Sequence, residues 1–148
     1  MTFSALRPGG PGTVDSEGGT YVVLRVTGDP PAFLHISPAG HFKGVDPTVS
    51  PGQMLANWVN GSRVLYIGKA DHLDVRLRCM AAFGAGKRVA HWGGRLLWQL
   101  KESADLLVAW RPARAGFTPK TDEHDMIERF RLAYGKPPFA NYPDRMGR

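Results

Sequence analysis

Residues 63–84 read RVLYIGKADHLDVRLRCMAAFG, and the fold is decided there. Arg63 to Gly68 is apolar almost throughout, with Val64, Tyr66 and Ile67 favouring an extended chain, as expected of a buried central strand. Beyond Lys69, the residues Leu73, Leu77, Met80 and Ala81 recur at helical spacing. They predict a helix with one apolar stripe, capped by Asp71 and ended at Gly84. A buried strand running through a glycine into such a helix calls for a sheet with helices packed on it.

Working outward, Thr20–Thr27 (TYVVLRVT) predicts a strand that stops at the turn residues Gly28-Asp29-Pro30-Pro31. Ala32–Ile36 is a shorter extended piece and Ser37–Thr48 a loop. Ser50-Pro51 supplies an N-cap and a first-turn proline for a short helix bearing Met54, Leu55 and Trp58. Downstream, Gly93-Gly94 precedes a helix predicted over Arg95–Glu102, with Leu96, Leu97 and Leu100 inward. Asp105–Arg111 (DLLVAWR) predicts a third strand. A last helix begins at Thr118-Pro119 or Thr121 and runs to Tyr134, with Met126, Ile127, Phe130 and Tyr134 as its stripe and Gly135 as its stop. The order β, insertion, β, α, α, β, α predicts an α+β domain over residues 19–148, a small mixed sheet between helices with an insertion at about 28–62. Residues 1–18, rich in Gly and Pro, predict a mobile tail.

The 148 residues suit one domain, and 43% hydrophobic content is enough for a core. The lone Cys79 excludes an internal disulfide and a CxxC metal motif, and points to an intracellular, cytoplasmic protein. No apolar run spans a bilayer and no membrane partner is expected. Nineteen Lys and Arg against thirteen Asp and Glu, a formal charge of +6, favour an anionic partner, nucleic acid first.

Two charges fall on apolar stripes. Arg76 lies three residues after Leu73 and four before Met80, and Glu123 three before Met126 and four before Ile127. A desolvated charge costs several kcal/mol unless paired or used. A structural ion pair between the two, or a Glu123 that merely complements the dipole at its helix start, is one reading, and a functional cleft the other. Tyr21 and Tyr66 read singly as core tyrosines, and Lys69 as a solvated cation. Phe83-Gly84-Ala85-Gly86-Lys87-Arg88 lacks the spacing and the Ser or Thr of a phosphate loop, and reads as a basic turn touching a nucleic-acid backbone. His72, His91, Trp92 and Arg95 are further candidate contacts, whereas Trp98 and Trp110 are expected in the core.

Taken together, Gly19-Thr20-Tyr21, Tyr66-Ile67-Gly68-Lys69-Ala70, Leu73-x-x-Arg76, Glu123 with Met126 and Ile127, and Pro138-x-x-Asn141 resemble the GIY-YIG nuclease family. The spacing is similar to the nuclease module of the excision-repair incision subunit and to GIY-YIG restriction endonucleases, over about residues 19–142. Threonine replaces the central isoleucine of the first motif, and two insertions depart from the pattern: the one at 28–62, and a turn before Asn141.

The resemblance implies a three-stranded, largely antiparallel sheet flanked by helices and a metal-dependent endonuclease acting on DNA. It implies Tyr21 and Tyr66 as site tyrosines, with Tyr21 narrowly favoured as the base and its phenolate supported by Lys69 and the metal. Arg76 would hold phosphate oxygens, Glu123 would be the sole protein ligand of one Mg²⁺ (or Mn²⁺), and Asn141 would brace the site by hydrogen bonds. His72, three residues past Lys69, is a candidate for assisting proton transfer. The alternatives are a nucleic-acid-binding module of the same fold without cleavage, and an RNA-cleaving enzyme. No separate recognition domain is evident, so specificity would come from the insertion, the 83–94 loop or a dimer.

Overall fold

The computed structural model describes residues 1–3, 14–89, 91 and 93–141. Among them are three strands, β1 (Gly19–Leu24), β2 (Val64–Ala70) and β3 (Leu107–Pro112), and three α-helices, α1 (Pro51–Asn57), α2 (Leu73–Gly84) and α3 (Pro119–Tyr134). The sheet is antiparallel throughout, in the order β2-β1-β3. One face carries the main core, where Tyr21, Val23 and Tyr66 meet Leu73, Leu77 and Met80 of α2 and Leu96, Leu97 and Trp98. The other face carries a smaller cluster, in which Val22, Val64 and Ile67 pack on Met126, Ile127 and Phe130 of α3. The small α+β fold, with its sheet between helices, is as expected.

The position of β2 is not. It is an edge strand and β1 is the central one. It reads as apolar as a central strand because the segment ending at Asn141 covers its free edge. Ala140 N donates to Leu65 O at 2.8 Å, and the Asn141 side chain bonds both the N–H and the C=O of Ile67, at 2.9 and 2.8 Å. Those backbone groups would otherwise be left unpaired beside buried side chains.

Helix boundaries were legible where a local cap sets them. Ser50 accepts from Gln53 N, and Thr118 forms a reciprocal capping box with Thr121. At α2 the cap is non-local. Asp71 does not cap it; the carbonyls of Glu17 and Asp15 accept from Leu73 N and Asp74 N, both at 3.1 Å. The helix does end at Gly84, with Ala85 as the C-cap. Gly84 is a packing glycine, because a Cβ there would lie 2.5 Å from the Trp98 ring.

The expected tail is therefore tied down at both described ends. Val108 N donates to Met1 O at 2.7 Å, Thr2 bridges Leu107, and Phe3 is buried against Trp98 with ring centroids 4.7 Å apart. The helix predicted over Arg95–Glu102 is a 3₁₀ turn, Arg95–Gln99, followed by a second at Ser103–Asp105. The insertion diverts the chain there, because Leu34 N donates to Gln99 O at 2.7 Å and Lys101 N to Ala32 O at 2.9 Å. The fully buried Gln99 amide adds bonds to Val49 N, Val49 O and Leu34 O. In place of a strand over Ala32–Ile36, the structure has a single bridge, Phe33 to Leu100. Among the described residues, no helix is long and apolar enough to cross a membrane.

Candidate active site

In the β1–β2 register Tyr21 faces Gly68 and Val23 faces Tyr66, which places the two tyrosines diagonally on one face of the sheet. Their ring centroids are 5.9 Å apart. Glycine is required at 68 because the Tyr21 ring crosses over it: a Cβ would lie 2.3 Å from Tyr21 Cζ.

At the C-terminal end of β2, a cleft of about 430 Å³ opens between the first turns of α2 and α3. Tyr66, Lys69, Asp71, His72, Val75, Arg76, Cys79 and Glu123 all line it. Strand β2 contributes Tyr66 and Lys69, α2 contributes Arg76, and α3 contributes Glu123. The apolar stripes of α2 and α3 face opposite sides of one sheet, so a charge near the start of each stripe points past the end of the strand.

Arg76 and Glu123 share the cleft, but the ion pairs at this end of α3 run from Arg111 and Arg114 to Asp122 and from Arg114 to Asp125, and none joins Arg76 to Glu123. The ion-pair reading of these two residues therefore falls. Burial raises the Glu123 pKa above its ordinary value, against the pull of Lys69, Arg76 and His124. Burial opposes the charge on Arg76, but the oxygens of Tyr21 and Tyr66 outweigh it and strengthen the guanidinium's hold on its proton.

Burial also pushes both tyrosines upward, Tyr21 well above 10 and Tyr66 above 10 with Arg76 opposing the shift. The cation beside the phenols is thus Arg76, while Lys69 acts on Glu123, which revises the expected partnership of Lys69 with a phenolate. Tyr21 is 1% exposed and its hydroxyl has no hydrogen-bond partner among the described residues; Tyr66 is the tyrosine that lines the cleft. The geometry turns the preference for a reacting tyrosine from Tyr21 to Tyr66.

His72 Nδ1 lies 3.1 Å from Ser16 O. A carbonyl only accepts, so Nδ1 carries a proton, and in the neutral ring Nε2 is the acceptor. Asn141 lies outside the cleft and acts on it through β2, clamping Ile67 next to Tyr66.

Of the candidate nucleic-acid contacts, Lys87 and Arg88 are exposed. His91 and Arg95 are 1% and 8% exposed, too buried to touch a backbone, because the 3₁₀ turn after Gly94 draws this segment into the core. Trp92 lies outside the described residues. Trp98 is buried as expected, and Trp110 only partly.

Asp122 escaped notice in the sequence. It is fully buried and binds Arg114 Nε at 2.7 Å, Arg111 Nη2 at 3.2 Å and Arg114 N at 3.2 Å. These bonds tie β3 and the β3–α3 connection to the helix turn that carries Glu123. An acidic residue in a first helical turn was visible, but its partners on another element were not.

Among the described residues, no group of three or more His, Cys, Asp or Glu side chains could hold a metal ion. Glu123 is the partly buried carboxylate on the cleft, and Asp71 is exposed at its rim. A lone carboxylate whose charge is disfavoured by burial fits a dication that takes its remaining oxygens from water and phosphate. No family model matches the chain, and no curated protein or solved structure matches it either.

Proposed function

We propose that the chain is a divalent-metal-dependent endonuclease that hydrolyses DNA phosphodiester bonds in this cleft, with a site of the GIY-YIG type. The observation that carries the reading is the convergence of Tyr66, Lys69, Arg76 and Glu123, from three separate elements, on one open cleft. Each matches a requirement of phosphodiester hydrolysis. The Arg76 guanidinium, on the cleft beside Tyr66, offers a planar fork to two phosphoryl oxygens. Lys69, exposed at the strand end, adds positive charge at the rim.

The Tyr66 hydroxyl is protonated at neutral pH and orients the attacking water by a hydrogen bond. His72 Nε2 accepts the proton that this water loses. Glu123 would hold the one Mg²⁺ or Mn²⁺, which when bound stabilises negative charge on the phosphoryl and leaving oxygens. The formal charge of +6 suits a polyanionic substrate.

The test is nicking of supercoiled plasmid in Mg²⁺ by the wild type and by Glu123→Gln. The wild type cleaves, and the variant loses at least about 10³ in rate, as when a main electrostatic stabiliser is removed. Equal rates would show that Glu123 is not the ligand. Binding without cleavage under any divalent ion would replace the enzyme with a nucleic-acid-binding module, and cleavage of RNA alone would change the substrate.

A further inference from the structure

The insertion and the basic turn, far apart in sequence, are in contact. Gly40 N donates to Phe83 O at 2.9 Å, and a Cβ on Gly40 would lie 2.0 Å from Lys87 O. The turn is also closed on itself, with Gly86 N donating to Phe83 O at 3.0 Å and Lys87 N to Ala82 O at 3.0 Å. Residues 85–88, which read in sequence as a basic turn, are thus braced from both sides.

Lys87 and Arg88 are exposed on this turn, and Arg78 is exposed about two helical turns before it. No carboxylate among the described residues pairs with any of the three. The face of α2 between them and the cleft carries Val75 and Cys79, both cleft-lining, then Ala82, and the turn itself opens with Ala85 and Gly86, small enough for close approach. A helix of 12 residues is about 18 Å long, the length of roughly five base pairs of duplex.

We propose that the insertion at 28–62 serves as a brace that fixes the 85–88 turn as a second phosphate-binding point, so that duplex DNA lies along α2 from the cleft to Lys87 and Arg88. The proposal rests on the nucleic-acid reading of the cleft and assigns the insertion a part in substrate binding. Backbone contacts of this kind give affinity and orientation without sequence preference.

The test is the salt dependence of binding to a 20-base-pair DNA duplex, measured by fluorescence anisotropy without divalent ions, so that it reads the track whether or not the cleft cleaves. Lys87→Ala/Arg88→Ala should weaken binding at least about tenfold at low salt and reduce the slope of log K against log salt by about two. Gly40→Ala, which pushes on the Lys87 carbonyl, should act in the same direction, and thermal melting would show that it is folded. Lys101→Ala/Arg63→Ala, two exposed cations away from the track, controls for general loss of charge. An unchanged slope in the double variant, or an equal loss in the control, overturns the track. Tighter binding to an RNA duplex of the same sequence overturns the choice of DNA. Failure to cleave with the slope change intact would count against the enzyme and not against the track.

Discussion

Tyr21 and Tyr66 are the same side chain in two settings, and the proposed chemistry separates them. Tyr66 lines the cleft, so Tyr66→Phe should lose about 10² or more in single-turnover rate, as expected when a group that handles a proton is removed. Tyr21→Phe deletes a buried hydroxyl without a partner among the described residues, and should cost less than about tenfold. Because burial holds both phenols above 10, the wild-type rate should show no tyrosine inflection below that pH, contrary to a phenolate base. In the metal-free protein, Glu123 should take up its proton at a pH above the ordinary carboxyl value of 4.5, readable by NMR titration of its carboxyl carbon.

The same shift has a consequence for stability. With its pKa raised, folded Glu123 holds its proton to higher pH than the unfolded chain does, so its contribution to stability declines as pH rises through that window. Glu123→Gln should therefore melt at or slightly above the wild-type temperature at pH 7, a gain that disappears below about pH 4, where both states carry the proton.

At the scale of elements, the site depends on how α3 is docked. Asp122 joins its first turn to β3 and to the connection before it. Asp122→Ala should destabilise the fold by about 2 kcal/mol. That is less than for a wholly buried pair, because Arg111 and Arg114 are partly exposed and regain water. Urea unfolding would give the loss. Plasmid nicking by the variant while still folded should drop several-fold, as Glu123 shifts with its helix turn; a wild-type rate would show that other contacts suffice to place α3.

The elements themselves were largely legible, because strand composition and helical stripes are local properties. Caps within four residues, such as those of Ser50 and Thr118, were legible for the same reason. The α2 cap, the 3₁₀ turn at Arg95 and the role of Gly84 were not, since each is set by a distant partner: Glu17 and Asp15, the insertion, and Trp98.

For the molecule as a whole, His91 provides a probe of the core. It is buried with both ring nitrogens unpartnered among the described residues, and burial, helped by the charge of Arg76, lowers its pKa to about 3. The unfolded chain then binds a proton on this histidine that the folded chain refuses. Its effect is to remove stability as pH falls from the unfolded value of about 6.5 towards 3, by at most about 1.4 kcal/mol for each pH unit. His91→Phe should flatten that limb, with the difference from wild type in urea midpoint changing sign or shrinking between pH 7.5 and pH 4.5. A limb of unchanged steepness would assign acid sensitivity to other groups.

The sequence alone determined the α+β class, the order of the three strands and three α-helices, the two misplaced charges and the basic character. All of these follow from composition and short-range periodicity, which survive without knowledge of neighbours. Tertiary structure decided that β2 lies at the sheet edge under Asn141, that Arg76 and Glu123 share a cleft without pairing, that Tyr66 and not Tyr21 lines it, and that His91 and Arg95 are buried. Exposure and charge coupling are sums over residues brought together by folding. A side chain's chemistry is written at its own position, but the water, charge and backbone around it come from positions dozens of residues away.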